Sequence, residues 1–336
     1  MIHLDAVVGL GHAFGHARES GERVKHSKKV FSAIAIVLLG GWFFRHSDSA
    51  VPENTESAPT SAPSAAPAAD AVASSGSSPS VGAVPQPGAA PALKRARKRN
   101  PAEPREQLEE NNVEFTIQNG LAVAYGDVVL GKPESGFSGK SGITEVKAPE
   151  LWKNGNIPYL ISGNLADSAR VEKAIAYLNR ATAVKFVPYQ NEPDAVVFQT
   201  GDKHCYSYLG KMGGMQPIFL APECGWNEIL HEMLHALGYF HEQSRPDRDK
   251  FVEILWENID EEFRHQFDKV PESWADILRG TSFDYHSVML YRPDSFAKGP
   301  GLITLKSKLA TPVDPVSTGL SVEDIVRINH VYGLHD

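Results

Sequence analysis

The chain has 336 residues, with 33 Lys and Arg against 41 Asp and Glu and a formal net charge of −8 at pH 7. That sign argues against nucleic acid as the main partner, because a phosphate backbone is held through a clustered excess of Lys and Arg. Low-complexity sequence takes up much of the N-terminal third, and the roughly 190 residues that remain suit one enzyme-sized domain.

Residues 1–29 form a basic N-terminal region whose scattered His3, His12 and His16 carry no reading. Lys25, Lys28 and Lys29 precede an apolar run over residues 30–44. A basic tract followed by an apolar one is the pattern of a secretory signal. The run is shorter than the roughly 20 residues of a full membrane span. Arg45 and Asp48 suit a small-residue cleavage site poorly, so both a cleaved signal and an uncleaved signal-anchor stay open. Either one exports the C-terminal part of the chain. Residues 45–105 are dominated by Ala, Pro, Ser and Gly, which bury too little surface to offset ordering entropy, and they read as a disordered linker. Its basic run, residues 94–99, is either a solvated tract or a site for a trypsin-like protease.

Alternation over Val113–Ile117, then Asn119-Gly120, then alternation over Leu121–Tyr125 predicts a β-hairpin. Residues 157–162 read as a strand. Residues 167–182 read as an amphipathic helix, with Val171, Ala174, Ile175 and Leu178 at helical spacing on a core face. Short strands are expected at 184–187, 195–199 and 215–220, the last an edge strand because it contains Pro217. Such an edge can pair with an extended peptide. A helix is expected over 228–237, a less regular region beyond 241, and a final helix over 321–331 with Ser321 as N-cap.

Residues 231–245 read HEMLHALGYFHEQSR. On a helix His231 and His235 leave one face about one turn apart, so two neutral imidazoles can grip one zinc ion. Glu232 projects roughly 100° away, within reach of a water at the metal but not ligating it. Gly238 can adopt φ > 0, end the helix and turn the chain, bringing His241 in as a third ligand. Three protein ligands leave a fourth position open, the mark of a catalytic zinc site. A lone His-Glu-x-x-His is common on helix faces. The third histidine at this spacing, and Met289 in Ser287-Val288-Met289-Leu290-Tyr291 downstream, match the metzincin pattern of a long zinc motif followed by a Met-turn.

Glu242 directly after the third histidine, the run Arg245-Pro246-Asp247-Arg248-Asp249 and Ser287–Tyr291 resemble the astacin family of zinc endopeptidases. The resemblance runs from about Leu151 to Tyr332. It includes Trp152, Ile157-Pro158-Tyr159 and the segment from Cys205 to Gln216, and we take it as that of a bacterial-type secreted or anchored member. It implies an α+β, two-lobed domain: a twisted sheet with helices above, and an irregular lower half carrying a C-terminal helix. It also implies one catalytic Zn²⁺ on His231, His235 and His241, Glu232 as general base, and Met289 beneath the metal. Tyr291 would ligate zinc at rest and swing to stabilise the oxyanion. Glu242 would receive the new N-terminus of the mature enzyme. In the family an edge strand lines the cleft and holds substrate.

Cys205 and Cys224 would be free thiols in a cytosolic protein, whereas export favours a disulfide. The family has one at these matching positions, and closing this loop would stabilise by about 3 kcal/mol. The family's prosegments can block zinc with an aspartate in Phe-x-Gly-Asp; here Ala124-Tyr125-Gly126-Asp127 keeps the Gly-Asp and lacks the Phe. Asp127 thus becomes the candidate switch, residues 106–147 the propeptide, and residues 148–336 the protease domain. Activation would need a cut between Asp127 and Trp152, after Lys140 or Lys147. The implied partners are protein or peptide substrates and an activating protease, with membrane anchoring only through residues 30–44 and a monomeric chain. Two other classes compete. One is an inactive zinc-binding adhesion module, which the intact Glu232 disfavours. The other is an intramembrane metalloprotease, which the polar residues Glu223, Asn227, Glu228 and Gln243 around the motif disfavour.

Overall fold

The computed structural model describes residues 92–93, 96–98, 111–134, 137–278 and 280–333, all within a single structural unit, Ser77–Asp336. The basic region 1–29, the apolar run 30–44 and nearly all of the linker 45–105 lie outside the described residues, as do residues 106–110. Among the described residues no helix is long and apolar enough to cross a membrane.

The expected hairpin forms from β1 (Asn112–Gln118) and β2 (Leu121–Ala124), paired antiparallel with Gln118 opposite Leu121. Asn119 and Gly120 make the two-residue turn with φ of 50° and 76°, the left-handed pair whose twist matches that of the strands. β3 (Val128–Gly131) and β4 (Ser141–Glu145) complete an antiparallel meander in which β1 lies between β4 and β2. This meander does not stand alone. β3 pairs in parallel with β8 (Tyr206–Tyr208), with Val128 opposite Ser207 and Val129 opposite Tyr208. It thereby extends the sheet of the chain's second half.

That second half is built from β5 (Asn156–Ile161), β6 (Lys185–Pro188), β7 (Ala195–Thr200) and β9 (Met215–Leu220). The whole sheet runs β4-β1-β2-β3-β8-β9-β7-β5-β6. β9 is therefore not an edge strand. It lies between β7, parallel to it, and β8, antiparallel to it. Pro217 is accommodated because β8 is in register only with Ile218 and Phe219 and stops short of the proline. The missing N–H of Pro217 costs no ladder bond on that side. The flanking partner of β9 is β8, and β3 pairs with the other side of β8.

Helix α1 (Ser168–Ala181) buries Val171, Ala174, Ile175 and Leu178, the face its spacing indicates. It packs with α2 (Trp226–Ala236) in one hydrophobic core beneath the sheet. Below α2 regularity falls away, as expected. Short 3₁₀ turns, at 242–244, 248–250, 256–258, 261–267 and 272–278, surround the two-stranded pair β10 (Val252–Ile254) and β11 (Leu305–Ser307). A second core there centres on Phe267, Phe283 and Leu290. Helix α3 (Val322–Tyr332) closes the chain. Ser321 caps it, and Ser321 and Asp324 form a reciprocal capping box that satisfies two orphan N–H groups. The architecture is α+β.

Candidate active site and metal centre

His231 and His235 leave the same face of α2, with ring centroids 4.7 Å apart. Each ring is fixed from behind. His231 Nδ1–H donates to the carbonyl of Val288 at 2.9 Å, and His235 Nδ1–H donates to the carbonyl of Tyr239 at 2.7 Å. A ring that donates from Nδ1 keeps its lone pair on Nε2, and both Nε2 atoms point into one hollow. The helix ends at Gly238, whose φ of +101° is open to glycine; a Cβ there would lie 2.9 Å from Leu151 Cδ2. The turn-ending bonds are Gly238 N–H to His235 O (2.8 Å) and Tyr239 N–H to Leu234 O (3.0 Å). The chain reverses, and His241 Nε2 arrives 3.1 Å from His231 Nε2. His241 is fully buried, and its Nδ1 has no hydrogen-bond partner among the described residues.

The fourth group is Asp127, from the turn before β3. Its Oδ1 lies 3.1 Å from His235 Nε2, and its Oδ2 lies 3.3 Å from the Nε2 atoms of both His231 and His241. Among the described residues these four ligand atoms form a group lying within 4.8 Å of one another. Lone pairs and a carboxylate aimed at a common centre repel unless a cation sits there. A tetrahedron with metal–ligand bonds of 2.0–2.1 Å has edges of about 3.3 Å, and the observed separations fit it. The donor set of nitrogen and carboxylate oxygen is the one zinc takes. Burial pushes the His235 imidazole down to about 4 against the opposing pull of Asp127, which keeps it neutral, as a ligand must be. For Asp127 itself burial disfavours ionisation. The three histidines that converge on its carboxylate outweigh it and hold the carboxyl well below the usual range.

Glu232 is 2% exposed, and its Oε2 has no partner among the described residues. Burial first, then the charges of Asp127 and Glu228, push its carboxyl well above the ordinary value. The cleft in front of it has a volume of about 810 Å³ and is lined by Asp127, His231, Glu232, Tyr291, Asn227 and Arg292 among others. Tyr291 stands beside His241, ring centroids 4.8 Å apart, and its hydroxyl donates to the backbone carbonyl of Tyr125 at 2.6 Å. In this arrangement the group that lies with the three histidine nitrogens is Asp127, while the Tyr291 hydroxyl is engaged by the Tyr125 carbonyl.

Residues 287–290 form a tight turn, closed by Leu290 N–H to Ser287 O at 3.1 Å. Met289 is buried in it and packs with the core under α2. Glu242 is 1% exposed, and its carboxylate is occupied from three sides. Arg327 of α3 donates to Oε2 at 2.8 Å and to Oε1 at 2.9 Å, Arg245 to Oε1 at 3.1 Å, and the N–H of Asp284 to Oε1 at 2.7 Å. The family resemblance implies that the new N-terminus of the mature enzyme reaches this carboxylate; in the uncut chain Arg327 is bonded to it. No local signal marks Arg327, which lies 85 residues from Glu242 along the chain. The other Arg245 nitrogens hold Asp247, as a structural charge network would. Cys205 and Cys224 form a disulfide with Cα atoms 6.2 Å apart, tying the approach to β8 to the residue before the α2 N-cap.

Fold and site together define a metallopeptidase-type centre, with three histidines on a helix and its succeeding turn beside a buried glutamate. The family model for Astacin, a peptidase family, matches residues 144–333, and the chain belongs to that family. It is 37% identical over 184 residues to zinc metalloproteinase nas-13 of Caenorhabditis elegans, covering 54% of this chain and 40% of that protein. Identity is 39% over 196 residues with astacin-like metalloprotease toxin 1 of Loxosceles intermedia, covering 54% and 71%. Meprin A subunit alpha of Mus musculus is 31% identical over 224 residues, covering 65% and 28%. Among solved structures, high choriolytic enzyme 1, a hatching enzyme zinc-protease of Oryzias latipes, is 34% identical, with a TM-score of 0.49 over 55% of this chain and 94% of that one. The chain spans less than half the length of nas-13 and of meprin A subunit alpha. These relatives are animal proteins, so the bacterial-type expectation is not borne out.

Proposed function

We propose that the chain is a zinc-dependent endopeptidase, made latent and exported. The observation that carries this reading is the convergence of the His231, His235 and His241 Nε2 atoms on one centre beside the buried Glu232. Zinc, when bound by the three histidines, supplies a Lewis acid that acidifies water and polarises a carbonyl. Glu232 takes the proton of the attacking water and hands it to the leaving amine. A carboxylate whose proton affinity is raised by burial suits that two-way task. Tyr291 already holds a peptide carbonyl in the cleft, that of Tyr125. The same phenol placed on the oxyanion of a scissile peptide stabilises the charge that develops there.

Latency comes from the meander β1–β4 acting as a prosegment. Asp127 fills the fourth position, and β3 occupies the β8 edge that an extended substrate would use. Lys140 and Lys147 are both exposed. A cut after Lys147 frees all four strands of the meander, whereas one after Lys140 leaves β4 attached to the enzyme. The Cys205–Cys224 disulfide supports an oxidising compartment, and substrates are protein or peptide chains met there.

Replacing Glu232 with Ala should abolish hydrolysis of a peptide library by the cut enzyme while zinc content, measured by atomic absorption, stays at one per chain. Turnover equal to wild type would refute the mechanism. Loss of zinc with activity would instead make Glu232 part of the metal site. An inactive binding module would show no hydrolysis in the wild type either.

A further inference from the structure

An unbroken line of hydrogen bonds joins a buried carboxylate of α3 to one of the three histidines. The Asp324 carboxylate, 3% exposed, accepts at Oδ1 from the Ser287 hydroxyl at 2.7 Å. Ser287 Oγ, fully buried, accepts from the N–H of Met289 at 3.0 Å. That N–H is one end of the Val288–Met289 peptide unit. The other end, Val288 O, accepts from His231 Nδ1–H at 2.9 Å. Asp324 Oδ2 is anchored independently by the N–H groups of Val288 (2.9 Å) and Ser321 (3.0 Å).

We propose that Ser287 and Asp324 are positioning residues for His231, acting through the Val288–Met289 peptide as an extended carboxylate–histidine relay. The polarity runs one way throughout. The carboxylate draws the Ser287 proton, which leaves Oγ a better acceptor for Met289 N–H. The peptide so polarised carries more negative charge on Val288 O, and that oxygen holds the His231 proton on Nδ1. Successive bonds of this kind strengthen one another. The result is a fixed tautomer and a more electron-rich Nε2, the effect a carboxylate produces when it touches a metal-binding imidazole directly. Here a serine and a peptide unit stand between. The turn that carries Met289 thus does more than pack, since its backbone transmits the relay.

The inference rests on His231 being a zinc ligand, and Asp324 also caps α3, so the two roles must be separated. Ser287 belongs only to the relay. The Ser321 hydroxyl lies outside the relay: it accepts from Asp324 N–H at 2.8 Å in the cap and donates to Asp284 at 2.5 Å. The zinc dissociation constant of the full chain, by chelator competition, is compared for wild type, Ser287→Ala, Asp324→Asn and Ser321→Ala. The His231 Nδ1 proton resonance is recorded alongside. Loss of such an outer partner typically weakens metal binding about 10–100-fold. Ser287→Ala and Asp324→Asn should both do so and move the His231 Nδ1 proton upfield. Ser321→Ala should lower the unfolding midpoint with zinc affinity unchanged. Folded Ser287→Ala with wild-type zinc affinity overturns the proposal, as does an equal loss in Ser321→Ala. Should Ser287→Ala fail to fold, Asp324→Asn, which keeps the size of the side chain, decides against the Ser321→Ala control: a loss of zinc affinity no larger than that of Ser321→Ala overturns the proposal. A wild-type chain that binds no zinc overturns the metal reading itself and is told apart from either result.

Discussion

Truncating Asp127 to alanine should turn the uncut chain from a latent into an active peptidase. The carboxylate lies 3.1–3.3 Å from three Nε2 atoms and keeps 20% of its side chain exposed. Removing one partner from a buried charged cluster costs about 3–5 kcal/mol, and the residual exposure favours the lower end. A loss of about 3 kcal/mol from the closed state corresponds to roughly a 10²-fold larger open population, at 1.36 kcal/mol per tenfold. The proposed prosegment would still be held by the β3–β8 pairing and the Tyr125 contacts, among others, so the variant should still fall short of the cut enzyme. The assay is hydrolysis of a quenched fluorescent peptide by chains shown by mass spectrometry to be intact, with the cut enzyme as the upper reference. Equal activity of intact wild type and intact Asp127→Ala would refute the switch.

Tyr291→Phe in the cut enzyme should lower kcat about 10²–10³-fold, the worth of one oxyanion donor at about 2.7–4 kcal/mol, with KM nearly unchanged. An effect confined to KM would remove Tyr291 from the transition state. Arg327→Met should lower unfolding free energy by about 3–5 kcal/mol in a denaturant titration, because the buried Glu242 loses its two-point partner; an unshifted midpoint would show that Arg245 and Asp284 suffice. Tyr125→Ala should raise the activity of the intact chain roughly 10–100-fold, in line with about 1.5–3 kcal/mol for one buried ring, and unchanged latency would deny the ring any part in it.

What could be read from the sequence was whatever local rules decide. The period of Val171, Ala174, Ile175 and Leu178 places α1 within a residue at each end. Asn119-Gly120 fixes the β1–β2 turn, and Ser321 fixes the start of α3. The three histidines meet because a helix turn and a left-handed glycine are short-range geometry. Other features depended on pairing between distant segments. β8 is three residues long and carries no alternation of its own; it exists because β9 and β3 flank it. Pro217 marks an edge by the usual rule, and the rule fails here because only Ile218 and Phe219 of β9 pair with β8. Arg327 on Glu242 and Asp324 behind Ser287 are joined by folding across 85 and 37 residues, beyond what spacing encodes.

The missing phenylalanine of the Phe-x-Gly-Asp pattern changes the anchor without removing it. Position 124, where the pattern places Phe, holds an alanine that is fully buried, so a larger side chain there would have to displace core. The aromatic group sits one residue later. Tyr125 is 3% exposed, its ring is edge-on to Trp274 with centroids 6.1 Å apart, and its hydroxyl reaches toward Lys269 O at 3.4 Å. Its backbone is left-handed, φ +53°, and Gly126 comes next at +101°. For a non-glycine residue that conformation costs about 1–2 kcal/mol. Ring burial returns about 1.5–3 kcal/mol, and the edge-on aromatic contact adds about 0.5–1.5 kcal/mol, so the strained turn is held with a margin. Gly126 cannot share the load, since a Cβ there would lie 2.8 Å from the Tyr291 hydroxyl. The two left-handed residues turn the chain between its anchors. Tyr125 drops its ring against Trp274 in the core that also holds the buried face of α2, and Asp127 delivers its carboxylate to His231 and His235 of α2 and to His241. With the tyrosine held against Trp274 and the aspartate against the three histidines, the proposed prosegment keeps two anchors at the cleft without the phenylalanine.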